Sequence, residues 1–192
     1  MKELRCCIKY YPSELEQYLF DDINKSFHKN HKLTHEEFFT IIAWKRKASA
    51  IKIARGWKGL DVESITGEIY CKSDDKDKLD ILDNISGIGV AIASAILTVC
   101  YPEKFTILDY RALNSLRKKE SDRCSDANFP KKAEYFKISD YVKYNNICKD
   151  VWVKYCSSLR DFDRALWAMD WYEGENGLLD VVEAYGKTLK GI

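Results

Sequence analysis

Apolar positions recur at three- and four-residue intervals along almost the whole chain, the signature of amphipathic helices. Leu15, Tyr18, Leu19, Ile23 and Phe27 form one stripe behind Ser13, with Glu16 three residues on as its capping-box partner. This predicts a first helix over about residues 13 to 28. Thr34 and Glu37 repeat the capping pattern, with Leu33 and Phe38 set as a hydrophobic staple. The helix they open, from about residue 35, carries Phe38, Phe39, Ile41 and Ile42 into Trp44-Lys45-Arg46-Lys47. Its pattern resumes through Ile51, Ile53 and Ala54 until Gly56 and Gly59. Val62, Ile65 and Ile69 mark a short helix from Asp61 to Cys71, and residues 73 to 78 form a charged connector. Leu79, Leu82 and Ile85 lead into Ser86-Gly87-Ile88-Gly89-Val90, and Ile92, Ala95, Ile96 and Val99 lead away from it. The reading there is helix, tight turn, helix.

Tyr101-Pro102-Glu103-Lys104 ends that second helix, and Phe105 to Leu108 is extended or a buried loop. Asp109 then stands at an N-cap position before Ala112, Leu113 and Leu116. Arg117 to Lys132 is polar, rich in Lys and Arg and broken by Pro130, and reads as a surface loop. Ser139 opens a long helix through Tyr141, Val142, Ile147, Val151, Trp152 and Tyr155, with Cys148 and Cys156 on one side of it. Ser158 and Asp161 start another, through Phe162, Ala165, Leu166 and Met169, which Gly174-Glu175-Asn176-Gly177 closes. No stretch alternates as a strand does, and the fold class is all-α.

At 192 residues with 46% apolar content, the chain has enough core for one domain over 1–192, or for two small lobes sharing a core. Lys plus Arg (31) and Asp plus Glu (30) nearly cancel, so any basic surface is local. No run approaches ~18 apolar residues, the length of a membrane span, and a soluble, cytoplasmic protein is expected, nucleoid-associated if bacterial. The seven scattered cysteines form no Cys-x-x-Cys ladder and read as reduced thiols. His28, His31 and His35 have metal-like spacing inside a polar run, where solvated side chains are the expectation. No metal is expected on protein side chains.

Two features carry chemistry. Glycines one residue apart let a turn enter positive φ and leave little above its N–H groups, so a phosphate can approach them at the positive end of the following helix. Downstream stands the single Asp109. Ile-Ser-Gly-Ile-Gly-Val-Ala followed by Thr-Ile-Leu-Asp-Tyr-Arg-Ala resembles the helix-hairpin-helix DNA glycosylase superfamily, which contains endonuclease III and the adenine mismatch and 3-methyladenine glycosylases. Trp44-Lys45-Arg46-Lys47-Ala48 is similar to the Tyr-x-x-Lys/Arg-Ala segment ahead of the family's hairpin, and the likeness covers about residues 40 to 117.

The resemblance implies two helical lobes, with residues 1–39 and 130–192 completing them, around a cleft holding Asp109. The N-terminal residues would pack beside the C-terminal helices. It implies double-stranded DNA as partner and Asp109 as the catalytic carboxylate, offsetting the charge that develops on the sugar as the N-glycosidic bond breaks. Ser86, Gly87, Ile88, Gly89 and Val90 would hold a DNA phosphate, with a monovalent cation bound at the turn. Lys45, Arg46, Lys47, Lys104 and Arg111 are candidates for the local basic patch. Lyase-competent members carry a lysine at the position of Ala91, so a monofunctional glycosylase using water is expected. The C-terminal cysteine set of endonuclease III is missing, and no iron-sulfur cluster is expected.

Each residue has a plainer role open to it. Asp109 can be only an N-cap, Trp44, Trp57, Trp152, Trp167 and Trp171 can be core, and Asp163-Arg164 can be an internal ion pair. The alternatives are a helix-hairpin-helix protein that binds DNA without catalysis, and a helical protein-interaction module. An Asp109 in an open cleft beside the turn favours the enzyme; a buried, capping Asp109 opposes it.

Overall fold

The computed structural model describes residues 4–11, 15–56 and 59–173. Ser13, Trp57 and the Gly174–Gly177 stop lie outside the described residues. Among the described residues the chain is helical and has no strand, and no helix is long and apolar enough to cross a membrane.

Local chemistry accounts for most of the boundaries. After a π-helical turn at Tyr18–Ile23, α1 runs over Asn24–Asn30. Leu19, Ile23 and Phe27, four residues apart, are buried, whereas Leu15 and Tyr18 face solvent, so the inward stripe is narrower than the sequence suggests. Helix α2, His35–Gly56, opens on the expected capping box: the Thr34 N–H donates to Glu37 Oε2 at 2.8 Å, and the Glu37 N–H to Thr34 Oγ1 at 3.2 Å. Leu33 and Phe38, the staple, are fully buried. Arg46, at φ −160° and ψ 91°, breaks α2 into two helical stretches where its apolar pattern lapses.

Helix α3 (Val62–Cys71) is capped by Asp61, α4 (Asp75–Asp83) by Asp74, and α5 (Val90–Cys100) follows the turn. Every residue of α5 except Ala91 is buried, which makes it the central element of the core, with α2 and α4 packed against it.

Helices α6 (Tyr110–Lys119), α8 (Ile138–Val151) and α9 (Leu159–Glu173) complete the body, with a short α7 (Ser121–Ala127) between the first two. Leu4–Tyr10, a 3-10 segment, packs along α9 with Leu4 and Cys7 buried, so the chain's start does lie beside its last described helix. A buried ion cluster reinforces this contact. Glu16 accepts from both Arg160 and Arg164, at 2.5 and 2.6 Å.

Four boundaries differ from expectation. Residues 73 to 78 are not all connector, because the Asp74 carboxylate accepts from the Lys76 and Asp77 N–H groups and α4 begins at Asp75. Arg117 to Lys132 is not all loop, because α6 continues to Lys119 and α7 fills much of the remainder. Only Cys124 of α7 is buried, so a run of mostly polar residues gave no periodic signal. Helix α8 starts at Ile138 because the Asp140 carboxylate accepts from the Lys137 N–H at 3.0 Å, and Ser139 lies in its first turn. It stops at Val151, a 3-10 turn covers Trp152–Lys154, and Cys156 falls beyond the helix that holds Cys148. All seven cysteines are free thiols. The histidines diverge: His28 Nε2 lies 2.8 Å from the Cys100 carbonyl, His31 stacks on Tyr70, and His35 Nε2 lies 3.1 Å from the Leu60 carbonyl.

Candidate functional site

Asp109 ends the extended segment Phe105–Leu108, whose main chain is tied down from three helices. From α8, the Asn145 side chain accepts from the Thr106 N–H at 2.9 Å and donates to the Lys104 carbonyl at 2.9 Å, while the Tyr141 hydroxyl donates to the Thr106 carbonyl at 2.8 Å. From α9, Asp163 Oδ1 accepts from the Ile107 N–H at 3.2 Å. From α5, Ser94 Oγ accepts from the Leu108 N–H at 2.9 Å. A buried backbone without these partners would carry unpaired polar groups, so the network fixes where Asp109 emerges.

Asp109 caps α6, accepting from the Arg111 N–H through Oδ1 at 2.9 Å. Its other oxygen accepts from Lys45 Nζ at 2.8 Å, and the same ammonium donates to the Leu108 carbonyl at 3.0 Å. Burial by itself would raise the carboxyl. The Lys45 charge, its hydrogen bond and the Arg111 amide outweigh burial and hold Asp109 below the usual carboxylate range. The side chain keeps 21% of its surface open, so it is a capping residue that still faces a cavity.

Asp109 and Lys45 line two adjoining hollows. On one side is a cavity of about 220 Å³ with ring walls from Tyr11, Trp44 and Trp167 and ionic groups from Arg160 and Asp163. Burial pushes Asp163 up to about 6, against the pull of Arg160, Lys45 and the Ile107 amide and with the Asp109 charge adding to the rise. On the other side is a groove of about 700 Å³, where Lys45, Arg46, Lys131 and Lys132 face only Asp109 and Glu134 as acids. Its floor includes Ala91 and Ile92 of α5, so the start of the helix that follows the turn shares this groove with Asp109. Arg46 also lines a third hollow with Ser49, Lys52, Ile53 and Gly87, which has no acidic side chain. The ring-walled cavity and the groove share Lys45 and Asp109 as lining residues, and the groove and the third hollow, which reaches Gly87 of the turn, share Arg46.

The two glycines of the turn have different work. Gly87 has φ +92°, and a Cβ there would stand 2.9 Å from Ile53 Cγ1. Gly89 is extended at φ −101° and has open space where a Cβ would be. Only Gly87 therefore takes up the positive φ expected of the pair. As the N-cap residue, Gly89 offers no side chain to the first N–H groups of α5 at its positive end.

The predicted basic residues separate. Lys45 and Arg46 lie at the groove, whereas Lys47 is exposed and lines none of these hollows. Arg111 pairs with Asp170 at 3.5 Å, lies over the Tyr110 and Trp167 rings and lines none of the three hollows. Lys104 follows the C-terminal end of α5, the end opposite the turn, so the structure does not bring it to the site. Asp163 and Arg164, expected as a pair, turn apart: Asp163 binds Arg160, and Arg164 binds Glu16 and Asp161. Tyr11, Arg160, Ser49 and Lys52 join the site without any signal in the sequence. Tyr11 and Arg160 come from opposite ends of the chain, and no local pattern marks them.

Among the described residues no cluster of His, Cys, Asp or Glu could hold a metal ion. Comparison with protein-family models, with curated proteins and with solved structures finds no match.

Proposed function

We propose that the protein is a monofunctional DNA base glycosylase of the helix-hairpin-helix type. One observation carries the reading: an ionised aspartate, set by its own helix cap, forms the wall between a ring-lined cavity and a basic groove that leads to a glycine-capped helix N-terminus. An enzyme that cuts a glycosidic bond in duplex DNA must take the nucleotide out of the stack, hold its base in a pocket and grip the flanking backbone. In this reading the base enters the cavity between Trp44 and Trp167, the sugar lies against Asp109, and phosphates follow the groove past Arg46 to Ser86–Val90.

As the bond to the base breaks, positive charge grows on the sugar, and the Asp109 carboxylate offsets it and orients the attacking water. Ala91 offers no amine at the groove floor, and Lys45 spends N–H groups on Asp109 and the Leu108 carbonyl instead of standing free as a nucleophile. With no acid, His or Cys cluster among the described residues, a monovalent cation at the turn would rest on main-chain carbonyls.

A second reading, DNA binding without catalysis, is favoured by the full structural employment of Asp109 as cap and ion-pair partner. The deciding experiment is base release from duplexes carrying uracil, hypoxanthine, 8-oxoguanine mispairs, alkylated purines and hydroxymethylated cytosine, with wild type beside Asp109→Asn. The glycosylase reading expects release by wild type alone. Equal duplex binding by both proteins with no base released supports the non-catalytic reading, and no duplex binding at low salt supports a protein-interaction module.

A further inference from the structure

Residues 130–135, between α7 and α8, leave the body and rejoin it at one place. The rings of Phe129 and Phe136 stack at 5.3 Å, and both pack against the buried Tyr144 ring of α8 at 6.5 Å. Between these two anchors the Arg117 guanidinium of α6 donates to the Pro130 carbonyl at 2.5 Å and to the Lys131 carbonyl at 3.1 Å. A 3-10 turn, Ala133–Tyr135, closes the loop: the Tyr135 N–H donates to the Lys132 carbonyl at 3.1 Å and the Phe136 N–H to the Ala133 carbonyl at 3.2 Å. Ala133 packs against the core, and the turn touches α5. A short loop held by its own packing and by bonded carbonyls has its shape before any partner arrives.

This braced loop brings Lys131, Lys132 and Glu134 into the groove that also holds Lys45, Arg46 and Asp109. The groove is therefore basic, four cations against two carboxylates, in a chain whose total charge is only +1. Lys45 is committed to Asp109 at 2.8 Å. Lys132 and Glu134 meet at 3.5 Å with their side chains 66% and 64% exposed. Water and salt screen such a pair, and a phosphate oxygen can take the place of the glutamate. Lys131 and Lys132 are both exposed, on residues whose main chain is fixed.

We infer that the loop 130–135 is a second DNA-binding element, gripping backbone phosphates through Lys131 and Lys132 in addition to the contacts assigned to Arg46 and the turn. The inference rests on the duplex-binding part of the reading above and holds whether or not Asp109 is catalytic. Because the loop is already braced, the two ammonium groups meet the strand with little backbone left to order. Lysine acts as a point charge without the fixed fork that reads a base edge, so the contact is to phosphate and indifferent to sequence.

The test is fluorescence anisotropy of a labelled duplex, titrated with the full chain at several salt concentrations. The double variant Lys131→Ala/Lys132→Ala is compared with wild type and with Lys104→Ala/Lys143→Ala, which removes the same charge from exposed residues that line none of the three hollows. The loop variant is expected to bind more weakly, with a slope of log K against log salt shallower by ~1.8, or ~0.9 for each of two phosphates. The control pair is expected to keep the wild-type slope. All four lysines are exposed, so both variants should fold, and circular dichroism checks it. A loop variant that matches wild type, or weakens no more than the control, overturns the inference; the duplex-binding reading then stands on Arg46→Ala. No duplex binding by wild type at low salt overturns that reading and the inference together.

Discussion

Lys45 Nζ stands 2.8 Å from Asp109 Oδ2 and 3.0 Å from the Leu108 carbonyl, so one ammonium from α2 holds both the carboxylate and the segment that delivers it. The pair joins residues 64 positions apart and closes the wall between cavity and groove.

Lys45→Gln removes the charge that outweighs the burial of Asp109, so the Asp109 carboxyl titrates at higher pH in the variant. In the glycosylase reading the acid limb of the pH–rate profile for base release then moves to higher pH. An unmoved limb would mean that Asp109 ionisation does not govern the rate.

Asp109→Asn keeps a side chain able to cap α6 but loses the charge, so it should fold while leaving Lys45 without its counter-ion. Because the folded Asp109 value is depressed, its contribution to stability is complete above the unfolded value of ~3.9 and is lost as pH falls through the folded value. The stability gap between wild type and variant in urea melts should therefore narrow as pH drops below ~4. Asp163 acts in the opposite sense. Its value of about 6 lies above the unfolded one, so its protonation favours the folded state as pH falls from about 6 toward ~4, and Asp163→Asn flattens that gain.

Gly87→Ala and Gly89→Ala should separate folding from binding. At Gly87 the left-handed backbone costs an L-residue roughly 1–2 kcal/mol, and Ile53 must also yield. At ~2–4 °C per kcal/mol for this chain length, thermal melts should show a drop of several degrees. Gly89→Ala meets nothing and should change stability by less than ~0.5 kcal/mol. It places a methyl group beside the first N–H groups of α5, and in the proposed reading it weakens duplex binding.

Asn145→Ala strips the Thr106 N–H of its acceptor in a buried site, and neither residue lines any of the three hollows. Urea melts should show a loss of roughly 1–3 kcal/mol, and base release should fall because the segment before Asp109 loosens. Activity equal to wild type would show that the segment is held well enough by its other ties.

Arg46→Ala and Lys52→Ala should each weaken duplex binding and lower the slope of log K against log salt by ~0.9 for every phosphate that the variant no longer neutralises. Lys104→Ala, at the far end of α5, should leave both unchanged. Weakening at Lys104 equal to that at Arg46 would remove the groove as the DNA path.

Short-range chemistry is legible along the chain itself. The capping pairs Thr34 with Glu37 and Ser158 with Asp161, the Asp109 cap, the staple at Leu33 and Phe38, and the glycine-bearing turn before α5 are set within a few residues and appear as read. The all-helical class followed from the same periodicity. Where one inward residue served a whole helix, as Cys124 does in α7, periodicity had nothing to report. Which charges meet was settled by packing alone. Lys45 reached Asp109 and Arg46 bridged two hollows where α2 breaks at Arg46, while Arg111 was claimed by Asp170 and Lys104 was carried to the wrong end of α5. Side-chain pairing across 64 or more residues depends on how helices cross, and no spacing along the chain encodes it. The ring-walled cavity is the strongest case, since Tyr11 and Trp167 meet edge to face at 5.4 Å from opposite ends of the molecule's sequence.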